Sequence, residues 1–88
     1  MTFSVLLTPN AARSLRKLQR SIGLRIVASL KELEEHPEAG EQLKASRFWK
    51  IRAGDYRMIY EIDSESNRVV ILFVGHRKNV YDEFSRLL

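Results

Sequence analysis

Four cations and a tyrosine in the second half of the chain have the types and spacing to grip a polyanion. In the extended run Phe48–Ala53, Lys50 and Arg52 point to one side while Trp49 and Ile51 point to the other. If Gly54-Asp55 is a two-residue turn, Arg52 faces Arg57 and Lys50 faces Ile59. A like-charge pair directly across a hairpin opposes folding, where an unlike pair would contribute ~0.2–1 kcal/mol. Folding alone gives little reason for it. Arg77 leaves the apolar run Val69–Val74 after a glycine, and Tyr81 follows four residues later. Guanidinium groups bind phosphates through paired hydrogen bonds, and an exposed tyrosine can stack on a base. Lys50, Arg52, Arg57, Arg77 and Tyr81 together describe a cationic pocket with a stacking platform. The plainer alternatives are a solvated strand with charged edge residues, partial neutralisation by Glu61, a one-residue slip that turns Arg57 to the other face, and a Tyr81 that caps the core beside Phe84.

If such a pocket cleaves RNA, it does so without a metal. That reaction needs a group to take the 2′-OH proton, cations for the pentacoordinate phosphorane, and a proton for the leaving 5′-oxygen. Lys and Arg supply the second well and the others poorly, so positioning must do much of the catalysis. Other chemistries are thinly represented. The chain has no cysteine, which removes disulfides, thiolate metal sites and a cysteine nucleophile. His36 and His76 lie far apart and share no metal-ligand spacing. His36 reads as a solvated helix end; His76, beside Arg77, is a surface histidine or a proton carrier. There is no glycine-rich phosphate loop and no carboxylate pair on the basic face, so neither a metal nor a cofactor is expected.

The elements that would position these residues can be read from periodicity. At 88 residues the chain reads as a single domain, 1–88. Phe3, Val5 and Leu7 alternate as a first strand. Thr8-Pro9 starts a helix, with Ala11, Leu15, Leu18 and Ile22 on one face and Arg13, Arg16, Lys17 and Arg20 on the other. Ser21-Ile22-Gly23 breaks the register, and a second helix follows to about His36, burying Ile26, Leu30 and Leu33. Pro37 to about Ala45 reads as a loop. Three strands then form an antiparallel meander, and Val80, Phe84 and Leu87 suggest a short C-terminal helix. The expected fold is α+β, β-α-α-β-β-β with that helix added: two antiparallel helices on one face of a mostly antiparallel sheet, the other face left for function.

Charge is segregated along the chain. The net charge is +4, and the acids Glu32, Glu34, Glu35, Glu38 and Glu41 separate a basic block Arg13–Arg25 from a second one, Lys44–Arg57. Arg13, Arg16, Lys17, Arg20, Lys44 and Arg47 are the expected polyanion-contacting cations outside the pocket, with a solvated helix face the alternative for the first four. The start of the chain has no signal-peptide pattern and no window reaches the ~20 apolar residues of a membrane span. A soluble cytoplasmic protein is expected.

The run Trp49–Tyr60, together with Phe73-Val74-Gly75-His76-Arg77 and the Leu15-Leu18 helix after Thr8-Pro9, resembles the RelE/ParE toxin superfamily, the RelE branch above all, over nearly the whole chain. The resemblance implies a RelE-like toxin of a type II toxin–antitoxin system. Such a toxin is a ribosome-dependent mRNA endonuclease that works in the ribosomal A site, uses the 2′-OH as nucleophile and leaves a 2′,3′-cyclic phosphate. Its partners would be the ribosome, mRNA and a cognate RelB-like antitoxin, acidic, helical and folding on the toxin surface. By the family pattern Lys50, Arg52, Arg57, Arg77 and Tyr81 form the catalytic set. One departure concerns the second strand cation, often a lysine proposed as general base: Arg52 stays protonated and is a poor base, which leaves Lys50 or His76 for that role. The rival functions are a gyrase poison of the ParE kind and an inactive homologue that only binds its antitoxin.

Overall fold

The strands build a five-stranded sheet, one strand more than expected. The computed structural model describes residues 2–80 and Phe84. Strand β1 (Ser4–Leu7) leads into α1 (Pro9–Arg16) and α2 (Arg20–Glu35). A 3-10 turn (Pro37–Ala39) and the two-residue strand β2 (Glu41–Gln42) precede the meander of β3 (Phe48–Ala53), β4 (Tyr56–Asp63) and β5 (Arg68–His76). The sheet order is β1-β5-β4-β3-β2. Among the described residues, only β1 and β5 pair in parallel. This is the expected α+β class, both helices packing on one face of a mostly antiparallel sheet.

Thr8 begins α1 as its sequence predicts. Its Oγ1 accepts from Ala11 N–H at 3.2 Å and donates to Leu72 O at 3.2 Å, with Pro9 at the first helical position. One side chain therefore caps the helix and ties it to β5. The helix break falls on Lys17-Leu18-Gln19 rather than on Ser21-Ile22-Gly23. Gly23 instead lies in the first turn of α2, its N–H donating to Gln19 O at 2.9 Å. An interior glycine costs ~0.5–1 kcal/mol against alanine, and burial of Ile26, Leu30 and Leu33 further along outweighs that. The stripe read as one helix face is consequently shared. Arg13 and Arg16 belong to α1, Lys17 is its C-cap, and Arg20 opens α2.

The helix face of the sheet holds the main core: Ile26, Leu30 and Leu33 of α2 meet Met58, Tyr60, Val69, Ile71 and Val74. The opposite face is not left bare as expected. Ile59, Phe73, Val80 and Phe84 form a second cluster there, with Leu43, Phe48 and Leu72 packed against it. A bulge in β5 makes this possible. Tyr60 pairs with Ile71 and Ile59 with Phe73, so Leu72 is extra and the strand changes phase. The continuous apolar run of β5 is thus used on both faces. The C-terminal helix expected from Val80 lies, apart from Val80 and Phe84, outside the described residues.

Candidate nucleic-acid interface

The hairpin places its cations as the turn chemistry requires. Gly54 takes a left-handed φ of 62°, and Arg52 pairs with Arg57 and Lys50 with Ile59. The slipped register is thereby excluded. Cross-strand rows on the face away from the helices grade from apolar to cationic. Leu6, Val70, Glu61 and Phe48 form one row, and Phe73, Ile59, Lys50 and Glu41 the next. Gly75, Arg57 and Arg52 form the last, at the hairpin tip. Gly75 allows a close approach there: an added Cβ would stand 3.3 Å from Val80 Cβ, so Val80 would have to give by a few tenths of an ångström.

Arg57 is half-buried and its guanidinium folds back on the turn, Nη1 donating to Gly54 O and Tyr56 O at 3.2 Å each. Arg77 is far away in sequence, yet its backbone N–H donates to Asp55 O at 2.8 Å. The exit of β5 is thereby fastened to the hairpin turn, so that Arg52, Arg57 and Arg77 cluster at one tip. Tyr81 lies outside the described residues.

Two expected residues are otherwise engaged. His76 pairs with Tyr56, whose ring packs on the helix-side core, and the two rings meet edge to face at 5.5 Å. Its Nδ1 accepts from Lys78 N–H at 3.2 Å. Strand alternation therefore turns His76 away from Arg57, and its candidacy as the proton carrier at the cations is corrected. Arg47 pairs with Glu61 at 3.0 Å and covers the Phe48 ring at 5.1 Å. This contact takes up the carboxylate that might otherwise have neutralised Arg57. Lys44 is exposed in the β2–β3 connection, and Arg13, Arg16, Lys17 and Arg20 are all exposed.

An open cleft of ≈ 720 Å³ adjoins the cation row, lined by Ser29 and Glu32 of α2, the Ala39-Gly40-Glu41 segment, and Lys50, Ile51, Arg52 and Arg57. It exists because β2 pairs only with Trp49 and Lys50, so the edge of β3 opens beyond them. Tyr60 sets its far wall. The phenol donates to Pro37 O at 2.8 Å and accepts from Gly40 N–H at 3.1 Å. Burial pushes the Tyr60 phenol above its ordinary value, against the opposing effect of the Gly40 hydrogen bond. Glu41 Oε1 stands 3.8 Å from Lys50 Nζ. The cleft is therefore cationic at the hairpin tip and mixed toward Glu32 and Glu41. Among the described residues, no group of three or more His, Asp or Glu is placed to hold a metal, and no helix is long and apolar enough to cross a membrane.

Sequence reasoning passed over one contributor. Arg25 of α2 reaches the turn, where a Cβ added to Gly54 would lie 3.0 Å from its Nη1. Its signal was the stripe Arg25, Ser29, Glu32 at i, i+4 and i+7, beside the apolar one.

Comparison with known proteins agrees with this architecture. Residues 5–81 match the family described as ParE toxin of type II toxin–antitoxin system. Toxin RelG of Mycobacterium tuberculosis is 35% identical over 85 residues, covering 92% of this chain and 98% of that protein. Among solved structures, the toxin–antitoxin complex RelBE2 of M. tuberculosis matches with a TM-score of 0.78 and 32% identity, over 90% of this chain and 95% of that one. A mutant of the E. coli toxin RelE in the free state matches with a TM-score of 0.80 and 27% identity, over 100% of both chains.

Proposed function

This chain belongs to the RelE/ParE superfamily of toxins from type II toxin–antitoxin systems, and from that premise we propose that it is a metal-independent, ribosome-dependent mRNA endonuclease. The observation that carries the reading is the arginine cluster at the hairpin tip: Arg52 paired with Arg57, and Arg77 held beside them through Asp55. In the reaction the 2′-oxygen of the RNA attacks the adjacent phosphorus while its proton passes to an acceptor. The bond from phosphorus to the 5′-oxygen then breaks, and that oxygen takes up a proton. The products are a 2′,3′-cyclic phosphate and a free 5′-OH.

Charge builds on the phosphorane oxygens, and fixed guanidinium groups stabilise it without reorganising. Arg57, oriented by two turn carbonyls, suits this best. Of the two proton carriers expected, only Lys50 shares the arginines' face. The ribosome supplies substrate geometry in the A site, inside the cytoplasm, and Tyr81 stacks on a base. Arg13, Arg16, Lys17, Arg20 and Lys44 contact ribosomal RNA. The partner that silences the toxin is an acidic, RelB-like antitoxin that folds on this surface, as the toxin–antitoxin assembly of the M. tuberculosis relative supports.

The match to a family described by its ParE members favours a second reading, a poison of DNA gyrase. Incubation with translating ribosomes and a defined mRNA separates the two. Codon-phased cuts that vanish in Arg57→Ala and Arg77→Ala support the ribonuclease. Intact mRNA with blocked supercoiling overturns it and leaves the gyrase reading.

A further inference from the structure

We infer that Arg25 is a further phosphate-binding side chain, holding the RNA backbone on the helix side of the hairpin tip; this rests on the ribonuclease reading above. Two guanidinium groups flank one residue. Arg57 Nη1 donates to Gly54 O at 3.2 Å, and Arg25 Nη1 lies 3.0 Å from where a Gly54 Cβ would stand. With its φ of 62°, Gly54 offers bare main chain for that approach.

The two arginines come from different elements, α2 and β4, and both approach the turn at Gly54, beside the cleft that the short β2 leaves at the edge of β3. Arg25, Ser29 and Glu32 form one stripe of α2, positive at the tip and negative at the end near Glu41. A polyanion in the cleft is drawn to the tip and repelled from the far end. Among the described residues Arg25 makes no ion pair, and Asp55 in the adjoining turn makes none with it. With no carboxylate engaging it, its guanidinium fork is open to an anion from outside. Here it is exposed and aimed at the same turn as the arginines proposed to hold the scissile phosphate. Its ligand is therefore a phosphodiester neighbouring the one that is cut, which would brace the strand on both sides of the tip.

The test is single-turnover cleavage of mRNA on programmed ribosomes by the wild-type protein, R25Q, R25K and, as a charge control, K31Q. The mRNA carries an uncharged methylphosphonate at one linkage at a time around the cut. R25Q is expected to lose about tenfold in rate, R25K to recover part of it, and K31Q to match the wild type, all with unchanged melting temperature. At one linkage the methylphosphonate should slow the wild type to the R25Q rate and leave R25Q indifferent. An R25Q that cleaves like the wild type, a loss that tracks a lowered melting temperature, or losses that add at every linkage each overturn the assignment while the ribonuclease reading stands. A wild-type protein that leaves the mRNA intact overturns both.

Discussion

Replacing Gly40 by alanine tests how the cleft is held. Gly40 has φ −81° and ψ −160°, an extended conformation open to any residue, so the cost of a side chain there is steric rather than torsional. An added Cβ would run into the carbonyl oxygen of Lys50 and lie 2.6 Å from Tyr60 Oη. The first obstacle is backbone in a paired strand and cannot swing aside, so the Pro37–Gln42 segment must lift from β3. Lifting it breaks the Gly40 N–H bond to Tyr60 Oη and the Tyr60 bond to Pro37 O, and loosens the β2 pairing that sets Glu41 beside Lys50. Two hydrogen bonds at ~0.5–1.5 kcal/mol each, with the cost of leaving the phenol unmatched, give a loss of ~2–4 kcal/mol. For a domain of this size that lowers the melting temperature by roughly 10–25 °C. Urea unfolding followed by circular dichroism measures it. The double variant G40A/Y60F should remain nearly as unstable, because it relieves the contact with Oη and keeps the one with Lys50 O. A G40A protein within ~0.5 kcal/mol of wild type, inside the range of ordinary surface substitutions, refutes the reasoning.

Tyr60 also predicts a base-side limit. Because its folded-state value lies above the ordinary 10.0, the stability it contributes is complete below pH 10 and falls as pH rises through the folded value; urea midpoints from pH 8 to 11 should decline in wild type and flatten in Y60F. T8A removes the α1 cap and the link to Leu72 O, costing ~1–2 kcal/mol in the same unfolding assay; a loss under ~0.3 kcal/mol would sink that role. R52E turns a like-charge cross-strand pair into an unlike one, so it should raise stability by ~0.2–1 kcal/mol while abolishing mRNA cleavage; an active R52E removes Arg52 from the proposed site. R52K adds to Lys50 a second side chain that can lose its proton, and general-base catalysis is worth ~10²–10⁴-fold. Cleavage should therefore rise at least tenfold toward pH 9, and a flat profile shows that proton removal does not limit the rate.

The hairpin was legible in the sequence because a two-residue turn leaves its register no freedom, and Arg52 stands opposite Arg57 as its spacing required. The α+β class followed equally from the change of period after Ala45. Three features were hidden for identifiable reasons. A two-residue strand such as β2 has no periodicity to detect, and its pairing depends on the Tyr60 clasp far along the chain. The bulge at Leu72 shifts the phase of β5 inside an unbroken apolar run, concealing both the second cluster and the direction of His76. The helix boundary at Lys17–Gln19 was misplaced because local propensity favours the glycine, whereas packing of α2 on the sheet decides. Arg77 was placed after β5 correctly, but only its bond to Asp55 brings it to the hairpin.

The brevity of β2 matters for the free protein as well as for any substrate. A sheet edge that stops being paired after Lys50 is a template on which another chain could add a strand. Here the exposed stretch is short, and arginines from β3, β4 and α2 surround it. Two copies approaching edge to edge would bring these charges together. The same residues that attract a polyanion thus guard the molecule against joining its own kind, and a partner that neutralises them must itself cover the edge it lays open.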